Sequence, residues 1–406
     1  MKEVYLDNAA TTKTDPRVLE AMLPYFSENY GNPSSMYKIG HQSKMVIDEA
    51  REKIANILGG VRSDEILFTS GGTESDNLAI LGTARKHKEK MKHIITTEIE
   101  HHAVLHPCEK LEKEGFDVTY LPVDRYGMVD PKDVKDALRE DTVLVSVMYA
   151  NNEIGTIEPI SEIADVIKEF KKEKKSKFPY FHTDACQAAG YLDLDVKKLG
   201  VDMLTLNGSK VYGPKGIGIL YLDSSVRIEP LVFGGGQEKN IRSGTENIAS
   251  IVGLAKALEI ANEEKEEESK RLLLLGEKLK NGILNKIDKT FLNGHPEKRL
   301  PNNINITILD VEGEALILHL DQYGIYTSTG SACTSASLDP SHVILATGLP
   351  YEAAHGSLRF AMGRYTTEED IDYVLEKLPG VVENLRRISP TRIDMRKIEK
   401  VLNDRK

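Results

Sequence analysis

The stretch Asn207-Gly208-Ser209-Lys210-Val211-Tyr212-Gly213-Pro214-Lys215-Gly216-Ile217-Gly218 sets the reading of the whole chain. An apolar run, Asp202–Leu206, leads into it and a second, Ile217–Leu222, follows at once, so the pattern is strand, tight loop, strand. Lys210 stands on that loop, held by Gly213 and Pro214. A lysine fixed in this way can form a Schiff base if part of it is unprotonated; taken alone, it can equally be a surface lysine on a hairpin.

Outward from this loop, short apolar runs alternate with longer amphipathic ones from about Arg62, the pattern of an α/β domain with a mainly parallel sheet. Seven strands are expected: Glu65–Thr69, His93–Thr97, Asp117–Leu121, Thr142–Met148, Tyr180–Thr183, Asp202–Leu206 and Ile217–Leu222. Helices are expected at Asp76–Lys90, Ala103–Glu114, Pro131–Leu138 and Ser161–Lys172, at intervals that suit crossover connections. After the glycine-rich Phe233–Gln237 the texture changes, and Asn247 to about Lys286 reads as one long helix, acidic in its middle. The remainder forms a smaller α/β domain. The expected division is residues 16–260 for the large domain and 1–15 with 261–406 for the small one.

Composition narrows the function. The 406 residues carry a net charge of −10 without a basic stripe, which argues against nucleic-acid binding. The lysines between Lys171 and Lys177 read as a solvated helix end. Apolar runs such as Leu272–Leu275 are far too short to cross a membrane. The start lacks a signal-peptide core, and three cysteines without a CxxC pair fit a reducing compartment, so a cytoplasmic location is expected.

Polar motifs recur where strands end, the edge at which α/β proteins build sites. Thr69–Asn77 (TSGGTESDN) offers backbone N–H groups and hydroxyls suited to a phosphate, or simply a capped turn. In Glu98–His106, His101 opens a helix and can stack on a ring or move protons. His102 and His106 have the i, i+4 spacing of metal ligands, but the spacing suggests no third ligand and no metal is expected. Asn151 and Asn152 can shape a turn or orient a carboxylate. Asp184 can cap a helix or hold a proton on a pyridine nitrogen. Cys186 reads as a small buried residue without chemistry. Thr327–Ser337 surrounds Cys333 with small polar residues, so a mobile loop and a reactive thiol are expected. Arg359 and Arg364 lie on a strand-like run, where an inward arginine would clamp a carboxylate.

With TSGGTESDN, EHHAV, NNEIG, DACQ, SKVYGPKG, RSGTEN and SACTSAS in hand, the chain resembles the cysteine desulfurases of the NifS/IscS type. These are pyridoxal-phosphate enzymes of the class V aminotransferase group with fold type I architecture. The resemblance extends from Tyr5-Leu-Asp-Asn-Ala-Ala-Thr-Thr12 to Ser357–Arg364. It implies pyridoxal 5'-phosphate as cofactor, with Lys210 bonded to its aldehyde carbon, Asp184 on the ring nitrogen, Gln187 on the phenolic oxygen and His101 stacked on the ring. It implies Gly72, Thr73, Asn207 and Ser209 around the phosphate, joined by Thr245 from the other subunit of a homodimer. Asn152 and Arg359 would hold the carboxylate of L-cysteine, and Cys333 would carry the sulfur as a persulfide to a protein acceptor such as an iron–sulfur scaffold. One departure stands out: the family's serine and histidine before the lysine are here Asn207 and Ser209, so a possible positive charge near the phosphate is lost. Selenocysteine lysis or transamination on the same scaffold, and a non-catalytic scaffold using Cys333 as a ligand, are the rival readings.

Overall fold

The computed structural model describes residues 2–330, 339–390 and 392–404. Its centre is a seven-stranded sheet of β2 (Ile66–Thr69), β3 (His93–Thr97), β4 (Asp117–Leu121), β5 (Thr142–Ser146), β6 (Tyr180–Asp184), β7 (Met203–Asn207) and β8 (Gly218–Leu222), in the order β2-β8-β7-β6-β5-β3-β4. The pairs from β7 to β4 are parallel, whereas β8 runs antiparallel to both β7 and β2. All seven expected strands are present, with ends displaced by a residue or two. Both faces of the sheet are covered, and period-2 alternation sorts the side chains between them. Leu204, Leu206 and Ile219 enter one core, while Met203 and Leu220 enter the other. Each such side chain, fully buried, contributes about 1.5–3 kcal/mol.

The helices Gly72–His87, His102–Lys113, Pro131–Ala137 and Ile160–Lys174 match the expected ones to within two residues, apart from both ends of the first, which stops at His87 rather than Lys90. The first begins at Gly72 rather than Asp76, because Gly71, at φ 152°, turns the chain directly from β2 into the helix. This displacement matters: it places the amides of the TSGGTESDN motif at a helix N-terminus.

A 39-residue helix, Ile248–Lys286, connects two cores. Leu254, Leu258 and Ile260 pack against the large sheet, whereas Leu272, Leu275, Leu279 and Ile283 pack in the smaller unit. Residue 260 therefore lies inside a continuous helix. The smaller unit contains an antiparallel sheet of β9 (Thr290–Asn293), β10 (Asn303–Ile308) and β12 (Ser357–Ala361), in the order β12-β10-β9. The N-terminal strand β1 (Val4–Tyr5) pairs in parallel with β11 (Ile325–Tyr326), and Asp7 bridges to Ala361. Residues 8–12 then pass back over the large sheet, where Thr12 bonds the Ser209 carbonyl and the Tyr212 amide. Arg364 lies beyond β12 and is engaged by Asp15 and Glu264, so its role is to tie elements together. Among the described residues, no helix is long and apolar enough to cross a membrane.

Candidate active site

The C-terminal ends of β2, β3, β5, β6 and β7 converge on a cavity of about 210 Å³. Ala9, Ala10, Gly72, Thr73, His101, Asn152, Asp184, Gln187, Asn207, Lys210, Gly330 and Arg359 line it, together with Asp76, Met148, Ala150 and Cys186. The topology thus brings together residues spread over 350 positions of chain.

One wall is the N-terminus of helix Gly72–His87. A Cβ at Gly72 would lie 2.9 Å from Cys186 Sγ and 3.5 Å from Asn207 Nδ2, so glycine is required by close approach. Thr69 Oγ1 and Ser75 Oγ bond at 2.7 Å behind it, and Glu74 accepts from the Ser70 amide. Glu74 also pairs with Arg242 at 2.9 Å, fastening the 233–245 segment to this helix start. A helix N-terminus with Thr73 and Asn207 beside it is suited to an anion.

Lys210 closes the short 3₁₀ turn Gly208–Lys210 that follows β7. The Gly213 amide bonds the Gly208 carbonyl at 2.9 Å, and a Cβ on Gly208 would meet the Pro214 carbonyl at 2.7 Å. The turn is therefore tightly specified, and Lys210 Nζ donates to the Ala10 carbonyl. Asn207 Oδ1 accepts from the Ser209 amide at 3.0 Å and the Ser209 hydroxyl at 3.1 Å. Asn207 lines the cavity, but Ser209 is not among the lining residues.

Asp184, at the end of β6, accepts the Cys186 amide at 2.9 Å, and Gln187 Nε2 donates to the Ala9 carbonyl at 3.0 Å. His101 caps the helix His102–Lys113 by accepting the Ala103 amide at Nδ1. Burial holds its pKa below the ordinary value, so the ring is neutral near pH 7 and Nε2 carries the proton. The His102 ring packs 4.8 Å from both His106 and His342, and burial pushes its pKa down to about 4.

Arg359 is only 2% exposed. Its guanidinium donates to Asp7 Oδ1 at 2.6 Å and to the Asn152 carbonyl at 2.9 Å, leaving Nε without a partner. Asp7 is a site residue to which sequence reasoning gave no role. Its signal lay within the Tyr5–Thr12 motif, but the partner is 352 positions away.

Cys333 lies outside the described residues. The chain on either side is anchored to one buried carboxylate: Ser341 Oγ bonds Glu153, and Gly330, at φ 141°, passes so close to Glu153 that a Cβ would clash. Thr245 is exposed and does not line the cavity of its own chain. Cys108 and Cys186 are buried, and burial raises both thiol pKa values. The expectation that Cys186 is buried holds, but it also forms part of the cavity floor.

The donor set fits pyridoxal 5'-phosphate: an anion site at a helix N-terminus, an amine on a rigid turn, a carboxylate at a strand end and a ring-sized space between them.

Comparison with known proteins agrees with this geometry. Residues 4–374 match the aminotransferase class-V family. The cysteine desulfurase IscS of Methanosarcina thermophila is 56% identical over 389 residues, covering 96% of this chain and 94% of its own. A solved NifS-like protein superposes with a TM-score of 0.88 at 40% identity, covering 95% of this chain and all of the other. A solved structure of SspA in complex with cysteine gives a TM-score of 0.78 at 37% identity, covering 90% of this chain and all of that one.

Proposed function

The chain belongs to the aminotransferase class-V family and acts as a cysteine desulfurase, and we propose that the cavity described above carries out that reaction with pyridoxal 5'-phosphate. The observation that carries this reading is the meeting of Lys210, Asp184, His101 and Arg359 around one cavity, with Gly330 on its wall three residues before Cys333. Three residues of chain reach at most about 11 Å.

The helix start at Gly72 and Thr73, with Asn207, would hold the phosphate; Asp184 would face the ring nitrogen, Gln187 the phenolic oxygen and His101 the ring face. Bound there, the cofactor supplies an electron sink that acidifies the Cα–H of the amino acid. Arg359 and Asn152 grip the carboxylate of L-cysteine, with Asp7 fixing the guanidinium plane. Lys210 Nζ takes the Cα proton, and His101, protonated at Nε2, is placed to return one. The Cys333 thiolate attacks the substrate sulfur; the C–S bond breaks, L-alanine leaves and the sulfur remains on Cys333 as a persulfide. From there it passes to a protein acceptor, such as an iron–sulfur scaffold. We further propose a cytoplasmic homodimer in which Thr245 of each subunit reaches the other's phosphate site. Exposed apolar side chains, among them Phe26, Tyr30, Met36 and Phe233, support a subunit contact.

Incubating the purified chain with pyridoxal 5'-phosphate and L-cysteine tests the reaction: equal amounts of alanine and sulfide are expected in the presence of a thiol reductant. Pyruvate and ammonia in place of alanine would contradict it.

Two substitutions test the assignments. Arg359→Lys keeps the charge but loses the two-pronged grip on Asp7 and the Asn152 carbonyl, so KM for L-cysteine is expected to rise about tenfold or more, with cofactor affinity retained. Equal KM values would remove Arg359 from the carboxylate site. Ser209→His is expected to leave cofactor retention unchanged or tighten it, since the Ser209 hydroxyl is spent on Asn207. Marked loss of cofactor, measured by dialysis and absorbance, would show that this turn departs from its relatives in more than one side chain.

A further inference from the structure

The cavity wall holds a second carboxyl to which the reaction above gives no task. Asp76, on the first turns of helix Gly72–His87, is 1% exposed and lines the cavity beside Asp184. Its Oδ1 has no hydrogen-bond partner. The nearest basic group is His182 on β6, whose Nε2 is 3.7 Å from that oxygen. His182 is fully buried, with Nδ1 at 2.9 Å from Ser146 Oγ and Nε2 at 3.1 Å from Thr205 Oγ1. The hydroxyls satisfy both ring nitrogens, so the ring needs no charge to be stable there.

We propose that Asp76 is a positioning residue of this site, the proton-holding member of a buried Asp76–Asp184 carboxyl pair, which leaves Asp184 as the single carboxylate presented to the ring nitrogen of the cofactor. Two carboxylates buried in one cavity wall repel, so one takes up a proton. Asp184 has the Cys186 amide to stabilise its charge, whereas Asp76 Oδ1 has no donor. The two cations that line the cavity are engaged elsewhere, Lys210 on the Ala10 carbonyl and Arg359 on Asp7 and the Asn152 carbonyl. Glu100, before helix His102–Lys113, is itself buried and pushed up to about 8 by burial. Cys186 is raised by burial, His182 is lowered to about 4, and β8 offers only apolar side chains such as Leu220. Burial, the nearby Asp184 and Glu100 move Asp76 upward, and a hydrogen bond from the Thr205 hydroxyl opposes them without reversing the direction. The rival arrangement has the same net charge, with Asp76 ionised and the proton on His182.

The role assigned to Asp184 rests on the cofactor reading, but the proton on Asp76 does not, so the two can fail separately. Infrared spectra of the full chain stripped of cofactor distinguish the arrangements. At pH 7 the difference spectrum between the parent and Asp76→Asn is expected to show the carbonyl stretch of a protonated carboxylic acid, shifted by deuterium oxide; the contribution of Glu100, itself raised by burial, is common to both and cancels. In Asp184→Asn the pH at which this band disappears is expected to fall by about one unit, because a neighbouring charge is gone. Titrating the unsubstituted chain with and without bound pyridoxal 5'-phosphate, which requires no variant to fold, is expected to show the same downward displacement. Absence of the band at pH 7 would overturn the proposal in favour of a charged His182. A band whose midpoint ignores both Asp184→Asn and bound cofactor would overturn the pairing.

Discussion

Lys210→Ala is expected to lower alanine and sulfide release by at least about 10³-fold, since a positioned proton acceptor alone contributes about 10²–10⁴. The loss should be in chemistry rather than folding. The turn is specified by backbone bonds among Gly208, Val211 and Gly213 and by Thr12, none of which uses the lysine side chain. Cofactor should still bind, held by the helix start at Gly72, by Asp184 and by Gln187, but it should wash out on dialysis and resist fixation by borohydride. Melting temperature and sheet content, followed by circular dichroism, should stay near those of the parent. Turnover within tenfold of the parent would remove Lys210 from the reaction.

Cys333→Ser separates the two halves of the chemistry. In the proposed reaction Lys210 takes the Cα proton from the substrate first, and only then does a thiol remove sulfur. The variant is therefore expected to bind cofactor normally and to change its visible spectrum on addition of L-cysteine. Alanine and sulfide should fall to background, because a serine hydroxyl is a far weaker nucleophile towards sulfur near neutral pH. Cys108→Ser and Cys186→Ser bear on the same point from the other side. Both thiols are buried and raised, so neither is a nucleophile at neutral pH. Cys108→Ser should retain most activity. Cys186 lies against Gly72 in the cavity floor, so its substitution should act through cofactor affinity rather than through sulfur removal. Full alanine production by Cys333→Ser would favour a lyase that needs no protein thiol.

Much of this arrangement is visible in the sequence because it is local. Buried parallel strands are short apolar runs, and the residues at their C-terminal ends face one edge of the sheet. Asp184, His101 and Lys210 can therefore be assigned to one site from the order of strands and motifs alone, whereas a part for Asn207 follows only from the family resemblance. The parts that escape such a reading depend on contacts distant in sequence or on single backbone angles. The pairing of Asp7 with Arg359 spans 352 positions and has no periodicity to betray it. The helix start at Gly72 rests on one glycine torsion, and without it Asp76 reads as the beginning of the helix rather than its second turn. Asp76 and Cys186 fit the pattern of ordinary helix and turn residues; only the closing of the cavity over them gives them a function.

The central claim is that sulfur leaves L-cysteine for Cys333 in a cavity organised by Lys210. A single turnover in the absence of reductant tests it most directly: holoprotein is mixed with L-cysteine, alanine is counted, and protein-bound sulfur is located by alkylation and peptide mass spectrometry. The account predicts one alanine per chain and one added sulfur, on the peptide containing Cys333. Alanine without protein-bound sulfur, or sulfur found on Cys108 or Cys186, would contradict it.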